Sequence, residues 1–349
     1  MYLQSLILQN FRNFNKINCE FDKRISIILG KNGFGKSNII EAINFISTAK
    51  SFKTNILSEC ILEGEQTAYI LSKLVDHQNL VREINIEIFS KGKRIECDRN
   101  RLQKSSELLR IAYFVLINNS DIDIVSKTPS IKRQFLDYFL AKVSPEYLNI
   151  SQNYRKLIKN KNILLKNSKK INEDILLMYN SKLLELNNKI LHFRLNYIEY
   201  LNNKIKIYLN KYFLEYDSDK FEISYCNSLE NKSSKEVYNK EMKYRECLYG
   251  SHRDSLDIIF KGRDVKKFMS LGEKRLISLL LKLGEKDYLV EECWKSPVIL
   301  IDDAFLELDE LKKAVFQQIL ENDLQIILTT VSKNSIYMPL NSYKLIELN

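Results

Sequence analysis

The spacing of apolar positions changes its period several times along the 349 residues of the chain. Ile25, Ile27, Ile28 and Leu29 form a short apolar run of strand character, and Ile39, Ile40, Ile43 and Ile46 then recur at helical spacing. LGKNGFGKSN, residues 29–38, lies between them, so the pattern predicts strand, tight loop and helix. Far downstream, Val298, Ile299, Leu300 and Ile301 predict a buried strand. Shortly before it, SLGEKRLISLLLKLGE, residues 270–285, predicts a helix whose apolar face holds Leu276, Leu279, Leu280 and Leu283.

Between these parts the period is helical from about residue 126 to 245. SIKRQFLDYFLAK puts Ile131, Phe135, Leu136, Phe139 and Leu140 on one face. A second helix is expected from about Tyr147 to Asn167 and a third from near Glu173 to about Phe213. Leu183, Leu186, Ile190, Tyr197, Leu201, Ile205 and Tyr208 form the seam of the third. Roughly 40 residues at about 1.5 Å each give an arm on the order of 60 Å long. Heptads are only partly kept, so the hairpin is expected to pack on itself and not to zipper with a partner. The chain therefore divides into residues 1–125, a helical arm over 126–245, and residues 246–349. The class is α/β, a nucleotide-binding sheet with flanking helices and a short helical arm inserted into it.

Three of the nine glycines fall within residues 30–35, whereas none occurs between Gly92 and Gly250. Gly30 to Ser37 fits G-x-x-x-x-G-K-[ST], the phosphate-binding loop, flanked by the strand and helix that the motif demands. Glycines 33 and 35 let backbone N–H groups approach an anion, and the following helix points its positive end at the same place. The candidate cradle for ATP is Gly30, Lys31, Asn32, Gly33, Phe34, Gly35, Lys36, Ser37 and Asn38. Lys36 is assigned to the β- and γ-phosphates, and Ser37 to Mg²⁺. Asp302 and Asp303 close the downstream strand. Solvated turns also end strands in Asp, but beside a phosphate loop the pair has a division of labour. Asp302 is assigned to the Mg²⁺ shell, and Asp303 to polarising the water that attacks the γ-phosphate.

Ser270 and Gly272 precede the helix of residues 270–285. They form either an ordinary N-cap or a second anion site that serves another copy of the chain. The order of phosphate loop, S-x-G-x signature and strand-end aspartates resembles the ATP-binding-cassette head. In that architecture the signature serine of one protomer closes over the γ-phosphate held by the other.

Composition adds a partner class. With 54 basic and 44 acidic residues the chain carries +10, which favours a polyanion or an anionic membrane surface. No acid lies between Glu146 and Glu173, while Arg155, Lys156, Lys159, Lys161, Lys166, Lys169 and Lys170 do, with Tyr154 nearby. This stretch is either a DNA-backbone patch or a solvated helix face. The six cysteines are scattered without a C-x-x-C pair, so neither zinc nor a disulfide framework is indicated. The opening MYLQSLILQNFRNF lacks the build of a signal peptide, and no apolar run approaches the length of a membrane span. A cytoplasmic protein with no membrane partner is expected.

Over nearly its whole length the chain resembles the bacterial RecF family of recombination-repair ATPases. LILQNFRNF matches that family's leading strand, and GKNGFGKSNIIEAI its extended phosphate loop, including Asn32, Asn38 and Glu41. IKRQFLDYFL, SPEYL and YRKLIKNKNILLK follow its arm. LYGSHRDSLDIIFKGRDVKKFMSLGEKR carries its G-x-H-R-D block and signature. ILIDDAFLELD matches its Walker B and D-loop segments, and LTTVS stands where a switch residue is expected. Three departures stand out. Glu273-Lys274 replace the usual Gln-Gln, VLINNSDIDIV lacks a Pro-Glu pair and leaves the γ-phosphate sensor unassigned, and SFKT stands for Ser-His-Arg. The resemblance implies an ATP-dependent homodimer that clasps DNA at gaps or single-strand/double-strand junctions and hydrolyses ATP as a timer. It also implies RecO and RecR as partners and assistance in loading RecA. The alternatives are the ATPase subunit of a transporter, and a degenerate relative with little hydrolysis.

Overall fold

The computed structural model describes residues 1–167, 173–303, 315, 318–319, 324–332 and 343–348. It divides into two compact units, Met1–Asp121 with Glu285–Asn349, and Ile122–Gly284.

In the first unit, β1 (Tyr2–Phe11), β2 (Phe14–Glu20), β4 (Thr67–Val75), β5 (Val81–Phe89), β6 (Gly92–Cys97) and β7 (Asn100–Arg101) form an antiparallel sheet in the order β2-β1-β4-β5-β6-β7. Their alternating pattern buries one face, with Leu6 and Leu8 of β1, Ile70 of β4, and Ile84, Ile86 and Ile88 of β5 in the core. A second sheet is wholly parallel. It joins β3 (Ile25–Leu29), β8 (Phe114–Asn118), β12 (Val298–Asp302), β13 (Ile326–Thr330) and β14 (Lys344–Glu347) in the order β14-β3-β13-β12-β8. β12 and β13 are buried along their whole length, as unbroken apolar runs in parallel sheets are.

Helix α1 (Lys36–Thr48) packs against both sheets, and Ile39 to Thr48 are all buried. Its apolar residues Ile39, Ile43, Phe45 and Ile46 share one core with residues of both sheets. Burial of each such side chain contributes about 1.5–3 kcal/mol. Gly35 caps α1 in the left-handed region at φ 93°, and a Cβ there would meet Phe14 Cζ at 2.6 Å. Glycine is required at this position for both reasons.

The second unit contains α2 (Ile122–Ser126), α3 (Pro129–Val143), α4 (Pro145–Asn167), α5 (Glu173–Tyr212), α6 (Ser234–Tyr244), α7 (Val265–Phe268) and most of α8 (Leu271–Glu291). It also holds a small antiparallel sheet of β9 (Glu222–Cys226), β10 (Ser255–Phe260) and β11 (Arg263–Asp264). The 40-residue α5 packs along α4, with Leu183, Leu186, Ile190, Tyr197 and Leu201 buried along its seam, and Phe139 of α3 stacks on Tyr197 at 4.5 Å. Buried Arg194 ties these helices to the sheet. It donates to Asp137 Oδ1 (2.7 Å), the Tyr225 hydroxyl (2.7 Å) and the Ser251 carbonyl (2.8 Å).

Two sequence expectations are corrected here. Residues 126–245 are not helical throughout, because Glu222–Cys226 form β9, which pairs with β10. The unit also extends past residue 245 to Gly284, since β9 finds its ladder partner in β10. The expected boundary between an arm and a C-terminal head segment at 245/246 therefore cuts through one sheet.

Candidate functional site

The parallel strands of the first unit end at a common edge. In register, Leu29 of β3 stands opposite Thr330 of β13, and Asp302 of β12 opposite Asn118 of β8. The loop Gly30–Gly35, the Asp302-Asp303 pair, and Thr329 and Thr330 thus gather at the carboxyl ends of the strands, where open α/β sheets bind ligands.

Residues 265 positions apart meet there. The Ser37 hydroxyl donates to Asp302 Oδ1 at 2.8 Å. Lys36 is buried and donates through Nζ to the carbonyls of Gly30 (2.8 Å) and Lys31 (3.2 Å). Its ammonium is therefore enclosed by the backbone of the loop itself. Gly30 is buried, Lys31, Asn32, Gly33 and Phe34 are exposed, and Gly35, Ser37 and Asn38 are half-buried. Asp302 is buried, which pushes its carboxyl above the ordinary carboxylate range. The neighbouring charge of Asp303 adds to this, while Ser37, Thr329 and Lys53 oppose it. Asp303 is half-buried and has φ 52°, in the left-handed region. Its N–H donates to Thr329 Oγ1 at 3.1 Å.

A second group supports the loop from behind. Glu41, fully buried on α1, accepts a two-pronged bond from Arg12, Nε to Oε2 at 2.9 Å and Nη2 to Oε1 at 2.6 Å. Ser51 donates to the same carboxylate at 2.5 Å. Lys53 donates to Asn38 Oδ1 at 2.7 Å, and Asn38 donates to Asn13 Oδ1 at 2.7 Å. Burial lowers the pKa of Lys53, with Glu41 opposing. Nothing in the local sequence singles out Arg12, Ser51 or Thr329. Each lies far from its partner along the chain, and only a polar residue beside an apolar run marks them.

Ser270 and Gly272 belong to the second unit. The Ser270 amide and hydroxyl both donate to Glu273 Oε2, at 3.0 and 2.9 Å, and the Glu273 amide donates back to Ser270 Oγ at 3.3 Å. This reciprocal pair is a capping box, so the departure at Glu273 has a structural role. Lys261 pairs with Glu273 at 2.5 Å. The basic stretch of the arm is thinner than its composition implies. Lys161 is buried against Glu241 (2.5 Å), and Tyr154 is buried with its hydroxyl on His252 Nδ1 (3.1 Å). Arg155, Lys156, Lys159 and Lys166 are exposed, whereas Lys169 and Lys170 lie outside the described residues. Residues 304–309 of the D-loop segment also lie outside them. Asn118 ends β8, and its side-chain oxygen accepts from Ser120.

Residues 2–346 match the family described as RecF/RecN/SMC N terminal domain. The DNA replication and repair protein RecF of Caldanaerobacter subterraneus subsp. tengcongensis is 32% identical over 96% of both chains. The chain belongs to the RecF family. The RecF protein of Bacillus subtilis (strain 168) is 29% identical, covering 96% of this chain and 95% of its own. A solved structure of the recombination mediator protein RecF-ATP in the RecFOR pathway superposes with a TM-score of 0.88 at 30% identity, over 96% of this chain and 93% of that one. An Smc head domain derived from Pyrococcus furiosus shares the fold, with a TM-score of 0.57 and 18% identity over 95% and 90%. The α/β head with an inserted helical segment is thus the fold of RecF and SMC heads. The full-length RecF match favours the repair family over a transporter subunit. Among the described residues no helix is long and apolar enough to cross a membrane.

Proposed function

We propose that this RecF-family chain is an ATP-hydrolysing DNA clamp of recombinational repair and replication, which pairs with a second copy of itself when ATP is bound. The observation that carries this reading is the 2.8 Å hydrogen bond between Ser37 and Asp302, because it joins a phosphate-binding loop to a strand-end carboxylate. ATP binding and hydrolysis also accord with the family and with the RecF-ATP neighbour.

The Ser37 hydroxyl and the Asp302 carboxylate are hard oxygen donors, the set that magnesium takes alongside water and phosphate. Ser37 and Asp302 would hold that ion, which would supply positive charge against the developing charge of the transferring phosphoryl group. Lys36 transfers its donors from the carbonyls of Gly30 and Lys31 to phosphate oxygens, and the amides of residues 31–38 cradle the chain of phosphates. Asp303 accepts a proton from, and so orients, the attacking water. Ser270 and Gly272 of a second copy approach the γ-phosphate once the Ser270 hydroxyl leaves Glu273. The exposed Arg155, Lys156, Lys159 and Lys166 contact DNA phosphates, so affinity is salt-dependent and largely blind to sequence. The pathway named for the RecF neighbours supports RecO- and RecR-type partners, and the resemblance supports a RecA-type recombinase downstream.

Sedimentation with and without Mg-ATP and gapped DNA tests the proposal. The wild-type chain is expected to pair only in ATP and to release DNA as salt rises. Lys36→Ala is expected to lose about a hundredfold in ATP affinity and to stay single. A wild-type chain that remains single in saturating Mg-ATP with gapped DNA overturns the clamp. Normal pairing of Lys36→Ala overturns the role given to that lysine.

A further inference from the structure

We infer that Thr329 is a positioning residue for both strand-end carboxylates, acting through one shared hydroxyl; this rests on the ATPase reading of the same site. Thr329 is buried on β13, and its Oγ1 lies 3.1 Å from Asp302 Oδ1 and 3.2 Å from Asp303 Oδ1. The same oxygen accepts the Asp303 N–H at 3.1 Å.

A hydroxyl has one hydrogen and two acceptor lone pairs, and an ionised carboxylate can only accept. The Thr329 proton therefore serves one carboxylate at a time. Asp302 already receives the Ser37 hydroxyl at 2.8 Å, so when that bond is made the Thr329 proton is the one free to turn to Asp303. Meanwhile the bond from the Asp303 amide fixes the Thr329 oxygen whichever way its proton faces. The residue that donates this bond, Asp303, has φ 52°, a conformation uncommon outside glycine, asparagine and aspartate. Thr330, the next residue, does not share the task, since its hydroxyl donates to the Ser332 carbonyl at 3.1 Å. Alternation along the strand thus leaves only the first of the two threonines facing the carboxylates.

Thr329→Val keeps the β-branched shape and removes the hydroxyl, and Thr329→Ser restores it. In the nucleotide-free chain, Thr329→Val is expected to speed hydrogen exchange of the Asp303 amide about tenfold. Its affinity for a fluorescent ATP analogue is expected to stay within about threefold of wild type. Its turnover is expected to fall about tenfold to a hundredfold. Thr329→Ser is expected to recover both exchange protection and turnover. If the valine chain does not fold, Thr329→Cys, of similar size with a poor hydrogen-bonding group, takes its place with the same expectations. Wild-type turnover in the valine or cysteine chain overturns the inference. So does a serine chain as slow as the valine one, because packing of the methyl group then explains the loss. A wild-type chain that neither binds nor hydrolyses ATP overturns the ATPase reading instead, an outcome told apart by the wild-type control alone.

Discussion

The Asp302 carboxylate is buried, and burial raises its pKa above the ordinary carboxylate value despite hydrogen bonds from Ser37 and Thr329. A carboxyl whose pKa is higher folded than unfolded weakens the fold when ionised. The cost is full above the folded pKa and vanishes as pH falls below the unfolded one. Asn at this position keeps the shape and an acceptor for Ser37 while removing the charge. Asp302→Asn is therefore expected to melt at a higher temperature than wild type at neutral pH without nucleotide. The difference should shrink as pH falls and close below about pH 3, where the wild-type carboxyl is protonated in both states. The same variant is expected to lose magnesium-dependent nucleotide binding. Thermal unfolding across a pH series checks the first part; a variant that melts lower at neutral pH shows that the charge is not costly. Glu41 is also a fully buried carboxylate, held by the two-pronged bond from Arg12.

At the scale of elements, the second unit is joined by a turn whose residues come from several places in the chain. Gly250 has φ 116°, and a Cβ there would overlap the Tyr154 hydroxyl of α4. The next turn residues present His252, whose Nε2 donates to the Cys247 carbonyl at 3.1 Å while Nδ1 accepts from Tyr154. Burial pushes the His252 pKa below its ordinary value, with the bond to Cys247 opposing and Arg253 and Arg133 assisting. The neutral ring thus contributes stability that is present above the unfolded pKa of about 6.5 and is lost as pH falls through the folded one. In urea unfolding, the wild-type chain is expected to lose stability as pH falls below about 6.5. His252→Gln is expected to flatten that dependence and to cost about 1–2 kcal/mol at pH 7.5 through imperfect replacement of its two bonds. An unchanged slope in the variant places the acid sensitivity on other groups.

At the scale of the whole molecule, the proposed pairing turns on the first turn of α8. Burial opposes the charge of Glu273, but Lys261 and Ser270 outweigh it and hold its carboxyl below the ordinary range. An ionised acid at a helix N-terminus steadies the helix and repels an incoming phosphate. Glutamine serves equally well in a capping box, so Glu273→Gln separates the two effects. It is expected to leave folding unchanged and to lower the ATP concentration for half-maximal pairing about two- to fivefold. Titration of the sedimenting dimer against ATP checks this. An unchanged or higher midpoint means that Glu273 does not hold pairing back.

Local chemistry made much of this legible in advance. The β3–loop–α1 passage followed from an apolar run, clustered glycines and helical spacing, and the long α5 followed from its seam. The strand ending in Asp302 and Asp303 followed from four consecutive apolar residues. Each of these is a pattern within about twenty residues, where period and backbone preference act directly. Pairing across the fold was beyond such patterns. β9 lies inside a stretch expected to be helical because five residues are too few to mark a strand without their ladder partner β10, and Lys161 falls in a basic stretch expected at the surface because Glu241 lies 80 residues away. Thr329 next to both aspartates and Arg12 on Glu41 are likewise decisions of tertiary packing, whereas Glu273 on Ser270 is a local S-x-x-E capping box. The sequence alone determined which chemical groups the protein has and which elements carry them. Only the fold decided which groups meet, because a hydrogen bond or ion pair depends on distance in space and leaves no mark in the order of residues.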